Sequence, residues 1–443
     1  MSSIIAPLAP HPLLVLFTAL AVLLVLARLL GRLAARFGLP AIVGELVTGV
    51  ILGPSILGHL LPGVAQWLLP NSAEQTHLLD AAGQLSVVLL VGITGTHLDT
   101  DILKRRARSV FSVSLCGLLI PLLFGIGLGL ILPGALAGHS AGRGVFAFFL
   151  GIAMCVTAIP VIAKTLTDMG LLHRNLGQLI LGSSMVDDAI GWLLLSVVSA
   201  AATAGVTFGH VSLQVAYLAV FIAFASTIGR RLVRAVMTRM AKSAESGPAI
   251  AAAVIIVLTG SIVTLALGME PIFGAFIAGV LVSRVKPVQV KLAPLRSVVL
   301  SVFAPLFLAT AGLRVDLTSL TKPSVAIAGV AVLAIAILGK FGGAYLGARA
   351  TGLTKLEGLA LGAGMNSRGV VEVVVALTGL RLGVLNSASY TIVVLVAIVT
   401  SLMAPPVLRW VMSRLELDDE ERLRKIDHDT WTSGVEKIAE PVG

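Results

Sequence analysis

The sequence predicts an all-α polytopic membrane protein of about thirteen transmembrane helices. Three observations carry this. Of 443 residues, 57% are hydrophobic and only 12% charged, about half the roughly 25% charged residues usual in soluble domains. Apolar runs of about 18–25 residues, long enough to cross a bilayer as a helix, recur from end to end. Between them, lysine and arginine gather in every second loop.

In chain order the predicted spans are 12–30, 41–57, 78–96, 110–133, 144–169, 176–203, 212–229, 248–267, 268–283, 298–313, 324–348, 356–378 and 387–412. The second and ninth are short and glycine-rich. One set of alternate loops holds Arg32 and Arg36; Lys104, Arg105, Arg106 and Arg108; Arg174; Arg230, Arg231, Arg234, Arg239 and Lys242; Arg284, Lys286, Lys291 and Arg296; and Lys355. The other set holds little beyond Arg143, Arg314, Lys322 and Arg381. Basic residues are retained on the cytoplasmic side, so the expectation is a multi-pass cell-membrane protein, N-terminus outside and C-terminus inside. The net charge of +10 then belongs to cytoplasmic loops, and no nucleic-acid partner is expected. No basic region and no small-residue cleavage site flank the first run, which reads as a span and not a signal peptide. Cys116 and Cys155 lie inside apolar runs and read as small hydrophobes. Residues 413–443, including LDDEERLRKIDHD, read as a short solvated cytoplasmic tail.

An internal repeat organises the membrane domain, residues 1–412. GELVTGVIL (44–52) matches GAFIAGVLV (274–282), and GTHLD (95–99) matches GLRVD (312–316). Both matches are offset by seven spans. An odd offset inverts the second copy, giving repeat one over about 12–203, a linker helix at 212–229 and repeat two over about 248–412. Inverted repeats mark secondary transporters, with the site near the midplane where the halves meet. The plain alternative is that glycine-rich apolar helices resemble one another.

The chemistry centres on GSSMVDDAIGWLLL (182–195), which sets Asp187 and Asp188 in mid-span. A charge at the bilayer centre costs roughly 2.5–3.5 kcal/mol on insertion scales, so such residues are rare and functional by default. One span earlier, Thr157 and Pro160 interrupt an apolar run. A helical proline removes an N–H and frees the carbonyl one turn back, here that of Val156. Freed carbonyls and the Thr157 hydroxyl are neutral oxygen ligands, although a simple proline kink has the same sequence. The twelfth span, the inverted partner of the fifth, contains GMNSRGVVEVVV (364–375) and is interrupted by Asn366, Ser367 and Arg368. Ser184, Asn366 and Ser367 are the polar groups expected beside the unwound segments. Arg368 and Glu372, four apart, can pair on one face; Glu45 is a second candidate partner for Arg368. Lys340 is a lone mid-span amine in AILGKFGGAYLGA. A buried amine stays charged only beside a carboxylate, so one of Asp187 and Asp188 is its expected partner, with snorkelling to the interface as the alternative. A hard oxygen set of Asp188, Thr157 and carbonyls suits a monovalent cation such as Na⁺, Li⁺ or K⁺. Competition between that cation and a proton would couple two fluxes. No phosphate loop, metal-ligand spacing, nucleophile elbow or dinucleotide fingerprint stands out, so neither a cofactor nor an enzymatic reaction is expected.

The segments LPAIVGELVTGVILGPSILG (39–58), TAIPVIAK (157–164), SSMVDDAIGW (183–192), EPIFGAFIAGVLVSR (270–284), FLATAGLRVDL (307–317) and MNSRGVVE (365–372) together resemble the monovalent cation:proton antiporter-2 branch of the cation:proton antiporter superfamily. The resemblance covers about residues 12–412. It implies the sodium/proton antiporter fold, with two crossed discontinuous helices in a mobile core beside a dimerisation domain. It implies that Asp188 binds cation and proton, that Asp187 pairs with Lys340, and that Thr157 is the unwound-helix threonine. It further implies electrogenic exchange, elevator motion and a homodimer. His97 stands where relatives carry an acidic residue, as a loop-edge group or a pH-responsive one. Residues 413–443 do not resemble the long nucleotide-binding tail of the Kef-type systems, so that regulated type is not expected. Two other readings stay open: an organic-ion transporter on the same scaffold, and a membrane sensor or catalyst using the aspartates as acid and base.

Overall fold

The apolar runs fold as helices in the expected order. The computed structural model describes residues 10–69, 73–96, 107–139, 142–157, 162, 165–166, 169, 171, 174–204, 208–415 and 421. Pro160 and His97 lie outside the described residues. The helices are α1 (Pro10–Arg36), α2 (Ala41–Leu52), α3 (Ala73–Thr96), α4 (Ala107–Ile131), α5 (Arg143–Cys155), α6 (Asn175–Ala204), α7 (Phe208–Phe224), α8 (Arg230–Ala241), α9 (Gly247–Ala266), α10 (Pro271–Ser283), α11 (Ala293–Val298), α12 (Ala304–Gly312), α13 (Pro323–Ala350), α14 (Lys355–Met365), α15 (Val370–Arg381) and α16 (Ser387–Met412), with two short helices between α2 and α3. One π-helical turn joins α7 to α8 and another joins α11 to α12.

Among the described residues ten helices are long and apolar enough to cross a membrane, and α5 and α10 are shorter apolar helices. The difference from the thirteen expected spans arises where helices are short or broken. The fifth predicted span stops being helical at Cys155, and Val156 continues in extended conformation (φ −73°, ψ 143°). The twelfth is cut into α14 and α15. The predicted linker ends at 229, yet the helix runs on to Ala241. Hydropathy falls there because α8 is amphipathic: Val233 and Met237 are buried with residues of α9 and α10, while its arginines face outward.

Two bundles emerge from the packing. In one, α4, α5, α6, α13, α14 and α16 pack on one another, with α15 against α16; in the other, α1, α2, α3, α9, α10 and α12 do so. The glycines of the internal match explain the second bundle. A Cβ on Gly44 would collide with the Leu30 carbonyl of α1, and one on Gly274 with the Gly260 carbonyl of α9. A Cβ on Gly49 would strike Ala309 and Gly312 of α12, and one on Gly279 Gly92 and Gly95 of α3. Matched glycines thus have matched surroundings, and each glycine-rich helix packs on the third helix of the other half. Small residues allow this approach where lipid gives no hydrophobic drive for helix association. In the other bundle α4 and α13 run backbone to backbone, with Gly343 against Cys116 and the Gly347 carbonyl accepting from Ser112 at 2.9 Å.

Replacing Gly279 by alanine is expected to destabilise the protein by about 1–3 kcal/mol, the usual penalty for overpacking. Gly342→Ala is the control, because nothing lies within 4 Å of its added Cβ; it should be neutral or stabilising by up to about 1 kcal/mol. Thermal unfolding in detergent, followed by size-exclusion, compares the two.

Candidate functional site

The site forms where α5 stops. A helix end leaves its last carbonyls without amide partners. At Cys155 those of Ala153, Met154 and Cys155 are left over, and two cations from the second half of the chain take them. The Arg368 guanidinium donates to Ala153 at 3.0 Å and to Met154 at 2.5 Å, and also to Ala336 of α13 at 3.0 Å. The Lys340 amine donates to Cys155 at 2.5 Å. Placing positive charge at a helix C-terminus also offsets its dipole, worth about 0.3–2 kcal/mol per group depending on burial.

Each cation has its own carboxylate. Lys340 pairs with Asp187, both fully buried; the alternative of a snorkelling lysine is thereby excluded. Arg368 pairs with Glu372 one turn on, at 3.3 Å. Glu45, the other candidate partner of Arg368, lies elsewhere, its side chain beside Gly31 of α1. The α1–α2 packing fixed by Gly44 holds it in the second bundle, away from Arg368.

Asp187 accepts three hydrogen bonds. Oδ1 accepts from the Ser114 hydroxyl of α4, and Oδ2 accepts from Lys340 and from the Thr157 hydroxyl at 3.0 Å. Thr157 lies 3.3 Å from the Met365 carbonyl at the end of α14, so the two interrupted helices meet at this threonine. The described bonds of Thr157 are thus to Asp187 and Met365. The expectation of freed carbonyl ligands is narrowed, because the carbonyls of Ala153, Met154 and Cys155 are already occupied by cations. Val156 is buried in extended conformation at the break. Asp188, next to Asp187 on α6, is buried as well, at 1% exposure.

At the second break, Asn366 follows the last turn of α14, and Ser367 and Arg368 precede α15. All three are buried. Asn366 Oδ1, Ser367 Oγ and Glu372 Oε2 make no hydrogen bond. Ser184 is not on an unwound segment: it sits inside the continuous α6, which no proline interrupts, and its hydroxyl faces the Met365 sulfur at 3.5 Å. Two contributors went unread in the sequence. Ser114 is one hydroxyl in an apolar run, and Ser401, which donates to the Arg368 carbonyl, is another. Nothing in their local pattern separates them from hydroxyls that bond back to their own helix.

A helical membrane fold with buried, paired charges where two broken helices meet defines a polytopic secondary transporter. The chain belongs to the transmembrane sodium/hydrogen exchanger family, whose model matches residues 20–414. It is 32% identical over 400 residues to the Na⁺/H⁺ antiporter NhaS4 of Synechocystis, covering 89% of this chain and 97% of that one. It is 30% identical over 397 residues to the Na⁺/H⁺-K⁺ antiporter GerN of Bacillus cereus, covering 89% and 95%. Its fold is similar to that of the sodium proton antiporter MjNhaP1 of Methanocaldococcus jannaschii, with a TM-score of 0.67 over 91% of this chain and 97% of that one, at 17% identity.

Lys340→Met should destabilise by about 3–5 kcal/mol, because it leaves the Asp187 charge buried without its amine. The double variant Lys340→Met with Asp187→Asn should recover most of that loss. A double-mutant cycle on thermal unfolding measures the coupling, and simple additivity would contradict the pairing.

Proposed function

We propose that the chain is a secondary active antiporter that exchanges protons for a monovalent cation across the cell membrane. Na⁺ is the first candidate, with K⁺ and Li⁺ as alternatives. The observation that carries this reading is the buried Lys340–Asp187 pair at the meeting of two interrupted helices, with a second buried carboxylate, Asp188, beside it. Relatives named for Na⁺/H⁺ and Na⁺/H⁺-K⁺ antiport support exchange and leave both cations in play.

In this reading Asp188 binds a cation or a proton but not both, so each flux drives the other. Thr157, Val156 and the unbonded Asn366 and Ser367 oxygens are the neutral oxygens available around the breaks. Asp187 pairs with Lys340 beside the ion site, and the exchange is electrogenic. Arg368 and Glu372 hold the broken ends together while α4–α6 and α13–α16 move as a core against the other bundle. The protein works as a homodimer, with its N-terminus outside and C-terminus in the cytoplasm.

Purified protein in proteoliposomes with an imposed pH gradient tests this. Addition of Na⁺, Li⁺ or K⁺ should collapse the gradient for at least one ion. No response between pH 6 and 9 to any of the three would refute antiport. Asp188→Asn should lower the exchange rate by at least about a hundredfold, since it removes the carboxylate for which cation and proton compete. Asp187→Asn should retain cation binding by calorimetry. An imposed membrane potential should change the rate; indifference to it would mean electroneutral exchange.

A further inference from the structure

Alternating access needs contacts between the two bundles that one state makes and the other breaks. Polar bonds between the bundles gather at one end of the molecule. The Tyr390 hydroxyl, fully buried in the first turn of α16, donates to the Ala311 carbonyl at the end of α12 at 2.7 Å. One residue on, Thr391 Oγ1 accepts the Asp316 amide at 3.0 Å. Ser199, near the end of α6, donates to Glu270 at the start of α10 at 3.3 Å. Arg381, the last residue of α15, lies against the side-chain amide of Gln84 on α3, whose oxygen accepts from the guanidinium once the amide is turned over. Each of these joins a helix of the core to a helix of the other bundle or the turn that leaves it.

The four contacts share one face. They lie at the ends of α6, α12 and α15 and at the starts of α10 and α16, which the loop charges place outside. Charged groups fill the space between them: Asp80, Arg314 and Glu270 all lie within electrostatic reach of Arg381, as does Tyr390. Asp80 and Arg314 form an ion pair of their own. At the opposite face the described bond between the bundles, Arg409 to the Gly38 carbonyl at 3.0 Å, is exposed to solvent, where a single bond is worth little. Apart from Arg381, which is exposed, the outer contacts are made by buried or half-buried residues, so breaking one leaves a desolvated group.

We infer that Tyr390, Ser199–Glu270 and Arg381–Gln84 form an outer latch, made when the outer mouth is shut and undone when the core moves to open it. These are positioning residues; none touches the ion site. The inference rests on the proposed antiport, because only a transporter that moves its core has reason to open the latch.

The structure supplies its own reporter. The Asp316 amide is bonded across the seam, so its hydrogen exchange measures whether the bundles are joined there. The test is hydrogen–deuterium exchange of the full chain in nanodiscs without Na⁺ or K⁺, read by mass spectrometry. Tyr390→Phe removes one hydroxyl and conserves the ring, and Arg381→Gln removes the charge. Each should lower protection of peptides covering 309–316 and 387–394 by about three- to tenfold, and leave peptides at the Gly38–Arg409 face unchanged. Unchanged protection at the seam in both variants overturns the latch, and so does an equal loss at both faces. In proteoliposomes the variants should shift the KM for cation supplied from outside more than for cation supplied from inside. The two readings fail separately. A seam that loosens in a wild-type background showing no exchange keeps the latch and removes antiport. Active exchange with an unmoved seam does the reverse.

Discussion

The constraint on which this structure depends is the unfinished end of α5. Stopping a helix inside an apolar protein strands carbonyls that water would otherwise satisfy. Here Arg368 and Lys340 satisfy them from the other half of the chain. Those cations are themselves unaffordable without Glu372 and Asp187. The break, the two cations and their two carboxylates are therefore one object. None of the five can be removed without exposing another group to the desolvation it was spared.

This interdependence divides the two aspartates. Asp187 is engaged by Ser114, Thr157 and Lys340, which fixes its orientation from two helices and the break after α5. A carboxylate so held is suited to keeping a lysine charged and poorly suited to wrapping a mobile ion. Asp188, one residue on, projects about 100° around the helix and is buried without belonging to that described set of bonds. In the proposed antiport the two aspartates take different tasks, Asp187 with Lys340 and Asp188 with the cation and the proton.

Much of this was readable in one dimension. A charge in an apolar run is visible without a structure, so Asp187, Asp188, Lys340, Arg368 and Glu372 stand out at once. The i, i+4 spacing of Arg368 and Glu372 already allows their pairing, and the glycine matches at 44 and 274 and at 49 and 279 already point to equivalent helices. What could not be read was who faces whom. The Thr157 hydroxyl faces Asp187, and nothing in the local sequence says which aspartate it meets. Arg368 had two carboxylates in reach of the imagination, and the packing of α1 on α2 removes Glu45. The capping of three backbone carbonyls leaves no trace in side-chain pattern. The continuation of the linker helix past 229 was hidden for a different reason: hydropathy detects burial in lipid, whereas Val233 and Met237 are buried in protein on a helix that has turned basic.

The reciprocal glycine contacts bear on how the chain is made. Because Gly49 needs α12 and Gly279 needs α3, neither half of the scaffold can close on itself. During synthesis α2 can pack on α1 through Gly44, but its Gly49 contact waits for a helix some 250 residues behind it. The first half therefore holds these contacts unmade until the second half arrives to complete them. The reciprocal contacts thus make the closing step of folding a late one.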